Sequence, residues 1–108
     1  MLDAHCVLTD KSEADILVWD GVGTRDDEIR TILTILQPFL AEVNQIPIIM
    51  GGDFNIYSHL DWTEATKDLY LHGGAVVNWT VSKTMESAGF KDSFREINPD
   101  PVKNIGTG

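Results

Sequence analysis

The run Ile46-Pro47-Ile48-Ile49-Met50 leads straight into Gly51-Gly52-Asp53-Phe54-Asn55. An unbroken apolar run of this length reads as a strand buried on both faces, the kind that sits in a helix-covered sheet. The two glycines let the backbone turn sharply or approach another group closely. If strand alternation persists past them, Asp53 and Asn55 point to one side and Phe54 to the other. Two polar heads then project from the carboxyl end of a buried strand, where open α/β sheets place their ligands. The same residues also suit an ordinary Asx turn that closes a strand.

The 108 residues make one domain or less, with room for a modest core. An apolar share of 43% is ordinary for a folded chain and speaks against wholesale disorder. The sequence contains no apolar run of membrane-span length, and no basic-then-apolar leader opens it, so a soluble chain is expected and its compartment stays open. Seventeen acids against eight bases give a formal charge of −9, which opposes non-specific nucleic-acid binding. It leaves phosphate chemistry open, because a bound divalent cation inverts the local field. One cysteine, Cys6, rules out an internal disulfide and a cysteine-based zinc cluster.

Residues 2–8 read as a short strand carrying His5. For His5 a hydrogen-bonded structural role and a phosphate contact are the two readings, while a Cys6–His5 nucleophilic pair fails because neighbours on a strand face opposite ways. Residues 9–23 read as a long connecting loop with an apolar island at Ile16-Leu17-Val18-Trp19. Thr24-x-x-Asp27 is a capping pattern, and Asp26, Asp27 and Glu28 suit the positive end of a helix dipole. From Ile29 to Val43 the apolar residues fall at helical spacing, and Pro38 is expected to kink or split that helix near Ile35. Strand, loop, helix and strand in this order imply a parallel crossover unit.

After Asn55, residues 56–63 form an aromatic and polar segment suited to a binding loop, in which Trp62 either anchors by packing or stacks on substrate. Ser58 or Asp61 is placed to cap a short helix running to Thr66. Residues 67–78 read as a loop with a turn at Gly73-Gly74 and a solvent-facing His72, and Asn78-Trp79-Thr80 matches a glycosylation acceptor. A short helix over residues 81–88 closes at Gly89, and Phe90, Phe94 and Ile97 continue at helical spacing.

Gly52-Asp53-Phe54-Asn55 after an apolar run, Gly89-Phe90-Lys91-Asp92-Ser93-Phe94-Arg95, and a histidine one strand and one helix earlier at His5 together resemble the endonuclease/exonuclease/phosphatase superfamily. The first piece is similar to that family's G-D-F-N, the second to its G-F-x-D-x-[FY]-R helix. Ser58-His59-Leu60-Asp61-Trp62 and Asn98-Pro99-Asp100-Pro101 resemble a bacterial branch of predicted metal-dependent hydrolases. The resemblance implies an α/β chain, part of a four-layer α/β sandwich of the deoxyribonuclease I type, with residues 1–108 as the central portion of one incomplete domain. It implies a metal-dependent phosphodiesterase or phosphatase-type hydrolase acting on a phosphate ester. Asp53, Asn55 and His5 would be catalytic: Asp53 orients the attacking water, Asn55 bonds the phosphate or completes the metal shell, and His5 contacts phosphate oxygen. Asp53 and Asn55 would also hold the metal, for which Mg²⁺ or Mn²⁺ suits such oxygen ligands. His59 and Trp62 would bind substrate, and Asp92 would be structural.

The chain departs from that pattern in three places, one of them the lack of the family's downstream Arg-Ile-Asp-Tyr-like strand. The family's metal-binding Glu comes from an upstream strand, and Glu13, Glu28, Glu42, Glu64, Glu86 and Glu96 all fall in loops or helices here. Its terminal Ser-Asp-His has no counterpart, since none of His5, His59 and His72 follows an Asp. A chain not competent by itself is therefore expected, and a non-catalytic binding module is the alternative. The G-N-H-D motif of calcineurin-like metallophosphatases does not occur.

Overall fold

The computed structural model describes residues 12–21, 24–70 and 72–104. Among the described residues four helices follow in order: α1 Glu13–Gly21, α2 Arg25–Leu40, α3 Thr80–Ser87 and α4 Ser93–Ile97. Among the described residues there is no strand and no bridge, so the expected α/β sandwich with its crossover unit is not the architecture of this chain. Residues 47–50 are not helical, yet none of the backbone groups of residues 47–54 bonds to the backbone of a described residue. Apolar and β-branched character favours a strand only where a neighbouring chain completes the ladder. A helix closes its hydrogen bonds within itself, and that is the order formed here. The expected strand over residues 2–8, with His5, lies outside the described residues.

Within the connecting loop expected over residues 9–23, the described residues Glu13–Gly21 form helix α1. Ser12 starts it: its Oγ accepts from Asp15 N at 3.2 Å, and its carbonyl accepts from Ile16 N at 3.0 Å. Ser12 and Asp15 are three apart, a capping pair of the kind that opens helices.

Helix α2 begins where expected, with Asp26, Asp27 and Glu28 in its first turn. Thr24 makes no side-chain cap; its hydroxyl donates to Glu28 Oε1 at 3.2 Å. The helix runs unbroken through Pro38 to Leu40. Pro38 sits so close to the end that the one helical bond it cannot donate costs no visible break. Tighter turns follow, with Glu42, Val43 and Gln45 each bonding three residues back.

Helix α3 ends in a Schellman motif. Phe90 N donates to Met85 O and Gly89 N to Glu86 O, while Gly89 takes the left-handed φ of +98° that a residue with Cβ resists. Asp92 caps α4, its Oδ1 accepting from Arg95 N at 3.0 Å. Residues 58–66, expected to hold a short helix, are turns.

The core is small and aromatic. Ile16 from α1, Trp62, Val77 and Trp79 are buried together, with Leu17, Ile56, Tyr57 and Ala75 packed against them. Trp62 and Trp79 meet edge to face at 5.5 Å, and Tyr57 lies 5.3 and 5.2 Å from the two indoles. Val77 N donates to Trp62 O, and Asn78 donates from both its backbone and its amide to Glu13 Oε1, which ties α1 to this cluster. Helices α2 and α3 pack on each other, burying Ile29 and Val81. No described helix is long and apolar enough to cross a membrane.

Candidate functional site

The Asp53–Asn55 turn is built locally. Asp53 Oδ1 accepts from Asn55 N at 3.0 Å, and Asn55 adopts φ +50°, a left-handed conformation that Asn tolerates better than most residues. This is the Asx-turn geometry. Asp53 and Asn55 are exposed, and Phe54 between them is half-buried. The turn stands directly before Ile56 and Tyr57, which pack on the aromatic core, so two polar heads are held on a fixed base.

His59 is buried and clamped on both ring nitrogens. Its Nε2 lies 2.8 Å from Glu86 Oε2 and its Nδ1 lies 2.8 Å from Ser82 Oγ. A carboxylate only accepts, so Nε2 carries a proton; the partner of Nδ1 is Ser82 Oγ, which also donates to the Trp79 carbonyl at 3.2 Å. The His59 backbone N–H also donates to Ser82 Oγ at 2.8 Å. Lys83 Nζ bonds Glu86 Oε1 at 3.0 Å, and Lys83 followed by His59 holds the Glu86 carboxyl below its ordinary range. The cluster fastens the loop after Asn55 to α3.

Asp61 and Trp62 are likewise engaged. Asp61 Oδ1 accepts from Arg95 Nη2 at 2.5 Å, and the buried Arg95 also donates from Nη1 to the carbonyls of Asn98 and Asn104. Trp62 is buried and stacks on His72, with centroids 3.8 Å apart and planes 15° apart. His72, expected in solvent, is only 6% exposed. Its Nδ1 is buried with no hydrogen-bond partner among the described residues, and burial pushes the imidazole pKa down from 6.5 against the raising effects of Thr66 and Asp61.

The structure therefore joins the turn at Asp53 and Asn55 to the loop carrying His59, Asp61 and Trp62, and joins that loop to α3 and α4. It does not place His5, which lies outside the described residues. The residues that the sequence reading missed are Ser82, Glu86 and Arg95, whose partners are 23 to 34 positions away. No spacing rule links them; Arg95 alone stood in a quoted motif.

An ion of the Mg²⁺ type needs about six oxygen ligands, several of which are commonly water. Around Asp53 the described residues offer one carboxylate and one amide, and no group of three or more His, Cys, Asp or Glu among them is arranged to hold a metal. These residues by themselves do not make a resident metal site.

No family model and no solved structure matches the chain. It is 41% identical over 105 residues to an uncharacterized protein of Caenorhabditis elegans, and the match covers 95% of this chain and 32% of that protein. The chain thus spans about a third of the length of that relative.

Proposed function

We propose that this chain supplies part of the centre of a metal-dependent phosphoric ester hydrolase, with Asp53 and Asn55 as its contribution and the remaining ligands coming from further polypeptide. The observation that carries the reading is the exposed Asp53–Asn55 turn, preset by its own Asx bond and seated on the aromatic core. The order Gly52-Asp53-Phe54-Asn55, then Gly89 through Arg95, supports the same class by its resemblance to that superfamily. In this reading Asp53 Oδ2 is the oxygen left to face Mg²⁺ or Mn²⁺ or an attacking water, because Oδ1 holds the turn. Asn55 presents its amide to a phosphate oxygen. His59 and Trp62 keep the adjoining loop in place, and a contact from either to substrate would require that loop to open. A phosphate ester small enough to meet an exposed turn fits better than long nucleic acid, given the charge of −9.

The test is turnover of bis(p-nitrophenyl) phosphate with Mn²⁺ or Mg²⁺. The isolated chain is expected to give none above background. A longer polypeptide that carries it is expected to turn over, and Asp53→Ala or Asn55→Ala to slow it by about a hundredfold or more. No metal-dependent turnover in the longer polypeptide would overturn the hydrolase reading. Robust turnover by the isolated chain, abolished by Asn55→Ala, would overturn its incompleteness.

A further inference from the structure

The outer face of α2 and the segment after it form one apolar surface that the described fold leaves uncovered. Leu36, Phe39, Ile46 and Ile48, with Glu42 at the rim, line a shallow depression of about 250 Å³. Ile35 is 65% exposed, Phe39 61% and Ile46 69%. Soluble folds rarely leave so many large apolar groups together in water unless something binds there. The backbone points the same way. Residues 47–54 have N–H and C=O groups that no described backbone group satisfies, so this surface offers hydrogen bonds as well as apolar contact.

We infer that this face is a docking surface for a further segment of a longer polypeptide, of the kind the nematode relative carries beyond its matched third. That relative is about three times as long as the match, so it has chain to spare for the purpose. The segment that fits is apolar and extended, filling the depression while exchanging backbone hydrogen bonds with residues 47–54. A second copy of this chain fits less well, because it would bring −9 against −9. The inference rests on the reading that this chain works together with more polypeptide, and its test uses neither metal nor substrate.

The experiment compares the isolated chain with a chimera in which it replaces the matched third of the nematode protein. Hydrogen exchange followed by mass spectrometry reads the amides of residues 48–54. They are expected to exchange freely in the isolated chain and to be strongly protected in the chimera. Phe39→Asp and Ile46→Asp are expected to lower the Tm of the chimera and to leave that of the isolated chain unchanged. Equal exchange in the two proteins overturns the inference, and so do substitutions that act equally on both. A chimera less stable than the isolated chain, or a concentration-dependent dimer of the isolated chain that protects residues 48–54, overturns it as well. Protection without metal-dependent turnover leaves the docking intact and removes the hydrolase reading.

Discussion

Arg95 and Asp61 form a largely buried ion pair, with side chains 7% and 24% exposed. Removing one partner strands a charge away from water, so Arg95→Met is expected to cost about 3 kcal/mol in urea unfolding. Asp61→Asn in the same background is expected to recover part of that loss, because the stranded charge goes with it. His72 makes a pH-dependent contribution of definite sign. Its folded pKa lies below 6.5, so below that pH the unfolded chain binds a proton that the folded one refuses. Stability is therefore expected to fall as pH drops from 6.5 through the folded pKa, and His72 to add no slope above 6.5. His72→Phe keeps a ring against Trp62 and is expected to flatten that part of the profile, measured by Tm between pH 7 and about 5. Glu86 acts lower on the scale: its depressed pKa means its contribution is lost only as pH falls through the carboxylate range. Little of this was legible in the sequence. His72 read as exposed because it stands at the Gly73-Gly74 turn of a segment with no clear period, whereas its burial is decided by a stack on Trp62, ten residues earlier.

At the level of elements, local chemistry was readable and pairing was not. The start of α2 and the close of α3 depend on residues next to each other: acids in a first turn, and Gly89 where φ turns positive. Gly89→Ala is expected to cost about 1–2 kcal/mol by thermal unfolding. A Cβ there would meet nothing within 4 Å, so the cost is that of the left-handed backbone and not of a clash. Helix α1 was missed because its apolar residues Ile16-Leu17-Val18-Trp19 are consecutive and show no helical period, although Ser12 and Asp15 marked its start. Residues 46–50 show the opposite failure. Their composition says strand, but a strand requires a partner, and none of the described residues supplies one.

For the whole molecule, the core gathers α1, the loop at 56–62 and the segment at 75–79, and leaves the outer side of α2 bare. The Cα radius of gyration is 14.7 Å, against roughly 13 Å for a compact chain of this length. Enough is buried to hold the Asp53–Asn55 turn on a firm base and too little to enclose it. Trp79, fully buried at the centre of that base, is expected on Trp79→Ala to cost about 3–5 kcal/mol and to unfold much of the chain, as read by near-ultraviolet circular dichroism. The resemblance in the Gly52–Asn55 motif, and the lack of a matching Glu and Asp-His, were visible in the sequence; that the turn is exposed and preset by its own Asx bond came only from the structure.

The most direct test of the central claim is paramagnetic broadening by Mn²⁺ in a ¹⁵N–¹H spectrum of a longer polypeptide that carries this chain. Signals of residues 52–56 are expected to broaden first at substoichiometric Mn²⁺, and Asp53→Asn to abolish that preference. Broadening that begins instead at the acidic first turn of α2, or that is unchanged in Asp53→Asn, would contradict a metal-facing role for Asp53.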